Sequence, residues 1–199
     1  FIGLTFKPIA NQYAGLDTHQ PKGLSNMFNL GSMLNLGSTE PVVGKAHTIV
    51  KCPASEIFQY LGEGLFENYP KWSPEVKELE QITPGPVKLG TEGRQVRVDQ
   101  GRRTESKFKI STYEPGVRLT LIGVSDPYRC TYELQAINPE NSTKLTFSFE
   151  LLEILAIMRP FEGLVRVAIK DGAERTVQNI KRLVEAEKTK RASFNQKSL

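Results

Sequence analysis

The sequence predicts an α+β domain in which a curved antiparallel sheet of about seven strands folds around one long C-terminal helix, with two short helices after the first strand. Three observations carry that expectation. Between residues 42 and 151, short stretches alternate apolar and polar residues with a period of two, as half-buried strands do. Turn signals separate them too closely for crossover helices, so neighbouring strands run antiparallel. From about Met158 to Lys188 the apolar period changes to steps of three and four, the spacing of one helix face.

In chain order, Val42, Ala46, Thr48 and Val50 alternate with Lys45, His47 and Lys51 to give the first strand. Cys52-Pro53-Ala54-Ser55-Glu56 starts a helix, because proline is tolerated in the first turn and an acid suits the N-terminal end of the helix dipole. Ile57, Phe58, Tyr60 and Leu61 continue it to Gly62; a second short helix over Leu65 to Tyr69 is expected to stop at Pro70. Val76 to Ile82 follows as a strand, and Pro84-Gly85-Pro86 with Gly90 and Gly93 forms a connection. Val96 and Val98 then alternate with Gln95, Arg97 and Asp99, which places the valines inside. After a turn at Gly101, the inward sets are Ser106, Phe108 and Ile110, then Val117, Leu119 and Leu121. The last two are Tyr128, Cys130, Tyr132 and Leu134, then Leu145, Phe147, Phe149 and Leu151.

The helix stripe runs through Phe161, Val165, Ala168, Ile169, Gly172, Ala173, Thr176, Ile180, Leu183 and Val184. At 1.5 Å per residue such a helix is about 45 Å long and spans a small domain. Burying each Val, Leu or Phe of the stripe contributes roughly 1.5–3 kcal/mol, so it needs a partner surface. The dry face of the sheet is the partner the chain offers, and a bent sheet clasping one helix leaves space for an apolar pocket.

Net charge is +4 at a pI near 9.0, yet it is unevenly placed. Lys188, Lys190, Arg191 and Lys197 form a basic tail over 189–199 and the residue before it, whereas residues 46–187 carry a small net negative charge. A frayed basic end is not a basic face, so nucleic acid is not an expected partner. No apolar run reaches the length of a transmembrane helix. The sequence opens on Phe1, so a targeting peptide is not readable from it. Cys52 and Cys130 are read as reduced thiols, which favours a reducing compartment over secretion.

Residues 1–41 differ from the rest: an arm rich in Gly, Pro and Ser but also in Phe1, Ile2, Leu4, Phe6, Tyr13, Met27, Phe28, Leu30, Met33, Leu34 and Leu36. Disordered linkers are poor in such residues. Packing on its own domain, docking into a partner complex and contact with a membrane surface all fit this composition.

Pro53-Ala54-Ser55-Glu56-Ile57-Phe58-Gln59-Tyr60-Leu61 and Asn68-Tyr69-Pro70-Lys71-Trp72-Ser73-Pro74-Glu75-Val76 carry a resemblance. Gly90-Thr91, Tyr113-Glu114-Pro115-Gly116 and Asn179-Ile180-Lys181 extend it. Over 42–188 the chain resembles the START-like, helix-grip superfamily, also called SRPBCC, in its polyketide cyclase/dehydrase and lipid-transport branch. The resemblance implies a helix-grip domain that holds lipids, sterols, quinones, hormones or polyketide chains. It brings no shared catalytic residue and implies no cofactor.

Site candidates therefore come from the inward face. Val96, Phe108, Ile110, Leu119, Leu121, Tyr132, Phe147 and Phe149 are expected to face Phe161, Val165 and Ile169 across the pocket. Tyr69 and Trp72 are placed near its mouth. Most of these side chains also serve simply as core; Tyr132 stands apart because a buried phenol needs a hydrogen-bond partner. His19 and His47 sit in the arm and on a wet strand face, with no ligand spacing for a metal. The first reading is a non-catalytic domain binding a lipid, pigment or quinone-like molecule, docked by its arm to a partner. The alternatives are an accessory subunit without ligand, and a cyclase or dehydratase using Tyr132, Asp99 or Glu105 as acid or base.

Overall fold

The computed structural model describes residues 40–99, 101–124, 126–138, 141–154 and 160–197. The arm residues named above, Phe1 through Leu36, lie outside the described residues, as does His19.

Strand β1 (Val42–Val50) leads into helix α1 (Ala54–Phe58), which passes into a wider helical turn over Gln59–Glu63 and then helix α2 (Leu65–Trp72). Strands β2 (Val76–Gln81), β3 (Glu92–Asp99), β4 (Arg102–Glu114), β5 (Arg118–Gly123), β6 (Tyr128–Asn138) and β7 (Ser142–Leu151) follow, and helix α3 (Glu162–Lys197) ends the domain. The sheet has seven strands in the order β1-β7-β6-β5-β4-β3-β2, every pairing antiparallel. The expected helix-grip architecture is what forms.

Two boundaries differ from expectation for physical reasons. Helix α2 continues through Pro70 to Trp72, and the Ser73 N–H donates to the Tyr69 carbonyl at 3.0 Å to close the final turn. One hydrogen bond lost at the proline is offset by burying Trp72, which is 1% exposed. Helix α3 starts only after Pro160 and runs past Lys188 to Lys197, with Arg191 paired to Glu187 across one turn.

Helix α3 lies against β1 and β7. Its side chains also occupy the free backbone edge of β1: Lys181 Nζ donates to the Ile49 carbonyl at 2.6 Å, and the Lys51 N–H donates to Glu185 at 2.8 Å. Asn179 Nδ2 donates to the Trp72 carbonyl at 3.1 Å, tying α2 to α3. The core divides in two. Ala173, Val177, Ile180 and Val184 of α3 join the large cluster beneath α1 and α2; Val165 and Ile169 form a smaller one with Val42 and Leu151. Between these clusters the packing is incomplete, and a cavity remains.

Among the described residues, no helix is long and apolar enough to cross a membrane. Cys52 and Cys130 are free and buried.

Candidate functional site

The cavity has a volume of about 130 Å³ and two unlike sides. On the β7–α3 side it is lined by Phe147, Phe149, Leu151, Val165 and Ile169. On the β3–β4 side it meets Gln95, Arg97, Asp99, Thr104 and Ser106. That β3, β4, β7 and α3 all reach one space is the direct sign that the sheet curls around the helix. Tyr69 and Trp72 of α2, with Cys130 and Tyr132 of β6, form an aromatic wall between the two sides. Ring centroids along it are 5.4 Å apart for Tyr69–Trp72, 6.2 Å for Trp72–Tyr132 and 4.8 Å for Tyr132–Phe147.

The residues expected from the sequence separate into groups here. Tyr69, Trp72, Tyr132, Phe147, Phe149, Val165 and Ile169 line the cavity. Tyr69 and Trp72 are 6% and 1% exposed, part of the wall and not of a mouth. The Trp72 indole N–H donates to the Tyr132 hydroxyl at 3.4 Å, so the phenol has a protein partner. Phe108, Ile110, Leu119 and Leu121 do not reach the cavity. They fill the large core cluster, where Phe66 of α2 stacks on Phe108 with centroids 6.0 Å apart. Phe161 is 52% exposed, because it precedes the first turn of α3 and so falls off the buried stripe.

Val96 is buried but on the other face of the sheet, in register with Glu105. Strand β3 begins at Glu92, and its inward set is Gly93, Gln95, Arg97 and Asp99. Gly93 sets that phase. It pairs with Phe108, and a Cβ there would lie 2.5 Å from the Phe108 ring and 2.7 Å from that of Phe66. Only glycine at this position lets the two rings stack under the sheet. Counting from Gly93 every second residue then faces inward, polar or not. The expectation that the valines of this strand face inward is therefore corrected: Gln95, Arg97 and Asp99 line the cavity, and Asp126, from the connection between β5 and β6, lines it as well. Glu105, an acid or base candidate, instead lies on the outer face and accepts from Arg94 at 2.7 Å.

Arg97 is the electrostatic centre of the polar side. Its Nε lies 3.5 Å from Asp99 Oδ2 and its Nη2 3.8 Å from Glu75 Oε2, and Nη1 donates to Ser73 Oγ at 3.3 Å. Burial would lower its pKa, but the neighbouring Tyr69, Asp99 and Glu75 outweigh burial and hold it above its ordinary value. Burial also raises Glu75, yet its hydrogen bonds and Arg97 bring its carboxyl below the ordinary carboxylate range. Burial raises Asp126. It likewise pushes Tyr69, Tyr128 and Tyr132 upward and the Cys130 thiol to about 12. At neutral pH the cavity thus offers protonated phenols and a protonated thiol, neither of them an activated nucleophile.

A sequence model described as polyketide cyclase / dehydrase and lipid transport matches residues 43–185. No curated protein matches the sequence. Among solved structures, the Zhui aromatase/cyclase from Streptomyces sp. R1128 superposes with a TM-score of 0.61 at 10% identity, covering 73% of this chain and 94% of that one. TTHA0849 from Thermus thermophilus gives 0.56 at 16% identity, over 73% of this chain and 98% of the other. A polyketide-cyclase-like protein, Cgl2372 from Corynebacterium glutamicum, gives 0.52 at 16% identity over 74% and 94%. At such identities the likeness is one of fold.

Proposed function

This chain belongs to the polyketide cyclase / dehydrase and lipid transport family, and from that premise we propose that it binds an apolar small molecule, of lipid, pigment or quinone type, without chemically changing it. The observation that carries this reading is the cavity between sheet and α3, apolar on one side and polar on the other. The phenols and the thiol that line it are held protonated by burial, which supports binding over covalent chemistry. A second reading, an acid–base enzyme of the cyclase or dehydratase kind, draws on Asp99 and Asp126 lining the same space and on the aromatase/cyclase name of one structural neighbour.

Extraction of the protein isolated from its own cells is expected to release an apolar compound. Val165→Trp, which fills the apolar side, is expected to keep the fold and to lower the recovered amount roughly tenfold or more, since overpacking costs about 1–3 kcal/mol. Equally empty extracts from both proteins would end the binding reading. If the compound accumulates as a dehydrated or cyclised product on incubation with the protein, the enzymatic reading takes its place.

Residues 1–41 are proposed to dock the domain to a protein partner, on the strength of the apolar side chains of the arm. Removing residues 1–40 is expected to leave the thermal transition of the domain intact and release it from any complex with which the full chain migrates. Continued co-migration of the shortened chain would remove the arm from that role.

A further inference from the structure

Gln95 is 3% exposed and sits on the polar wall of the cavity. Its Nε2 donates to Ser106 Oγ at 3.1 Å and to the Tyr128 hydroxyl at 3.2 Å, while its Oε1 is buried without a hydrogen-bond partner. Turning the amide over does not satisfy both of its atoms. The Ser106 and Tyr128 hydroxyls would then donate to Oε1, and Nε2 would be the atom left over. A buried polar atom without a partner is costly, and a native site that keeps one is short of a group.

The surroundings restrict what that group is. Arg97 is the cation that lines this wall, and among the described residues its charge is matched by Asp99 and Glu75, although its buried Nη2 stands 3.8 Å from Glu75 and makes no hydrogen bond. Asp126 lines the same space, which gives the cavity two acids, Asp99 and Asp126, to the one cation Arg97. An incoming carboxylate or phosphate therefore meets an excess of negative charge. A hydroxyl meets a complementary pair: it donates to Gln95 Oε1 and accepts from the Tyr128 O–H, whose oxygen is engaged by Nε2. The volume fits one ring, given that an engineered apolar cavity of about 150 Å³ holds benzene.

We infer that the polar wall built on Gln95 and Tyr128 selects a neutral hydroxyl on a ring-sized apolar portion of the ligand and disfavours an acid at that position. This rests on the cavity being a ligand site, as proposed above. Calorimetric titration of the full chain with para-cresol, para-xylene and para-toluate tests it, since the three differ in one ring substituent. Para-cresol is expected to bind about tenfold more tightly than para-xylene, and para-toluate more weakly than either. Gln95→Leu is expected to abolish the preference of cresol over xylene. If that variant does not fold, the ranking of the three compounds on the wild-type chain decides alone. Xylene equal to or tighter than cresol, or toluate tightest, overturns the hydroxyl assignment and leaves the cavity as a binding site. Failure of all three to bind overturns both.

Discussion

Gly44→Ala is expected to lower stability by about 3 kcal/mol, the upper part of the range for overpacked cores. Gly44 lies on the inner face of β1 between Val42 and Ala46, directly beneath α3. A Cβ there would lie 2.4 Å from Ile169 Cγ2, 2.6 Å from the Ile169 carbonyl carbon and 2.7 Å from its oxygen. A rotamer change can move the methyl group, but only displacement of α3 can move the main chain. The lower backbone entropy of an unfolded alanine returns about 0.4–1 kcal/mol, too little to compensate. In a domain of this size the melting temperature should fall by roughly 10 °C, measured by circular dichroism or calorimetry. Ile169→Ala introduced alongside should recover little, because the obstructing atoms are backbone. A single variant melting with the wild type would show that α3 does not ride this closely on β1. Because Ile169 is also a wall of the cavity, the same displacement should weaken ligand retention.

The sheet was legible where apolar side chains mark the inner face. Phe108 and Ile110 fix the phase of β4, and Cys130, Tyr132 and Leu134 that of β6; Leu145 and Phe147 do so for β7. Strand β3 was not legible by that rule. Its valines alternate as cleanly as those of any buried strand, yet Val96 faces outward and Gln95, Arg97 and Asp99 face inward. The deciding residue, Gly93, has no side chain to contribute to a hydrophobicity pattern and reads as part of a loop. A signal was present in parity: a glycine two and four residues before polar side chains marks the face where a ring approaches from the next strand. The aromatic half of the cavity thus followed from the sequence, whereas its charged half depended on a strand register that only the Phe108–Gly93 pairing reveals.

That charged half is where removing one residue should matter most. Arg97→Met is expected to cost about 3–5 kcal/mol at neutral pH, since it deletes the cation and leaves the buried Asp99 and the half-buried Glu75 without it. The side chains of Arg97, Asp99 and Glu75 are 14%, 7% and 28% exposed, so water screens them little. The pH dependence distinguishes this from lost packing. With Arg97 present, the folded-state pKa of Glu75 lies below its unfolded value. Its contribution is therefore complete above the ordinary carboxylate pKa and disappears as pH falls through the folded one. In Arg97→Met the attraction is gone, the folded pKa moves up, and protonation relieves the variant as it penalises the wild type. The stability gap should thus be widest at neutral pH and narrow steadily toward pH of about 4 in urea titrations. Arg97→Lys, which keeps the charge but not the planar fork, should fall between the two. A gap that stays constant over that range would mean that Arg97 is held for its volume, and the balance of charge that disfavours acids in the cavity would lose its basis.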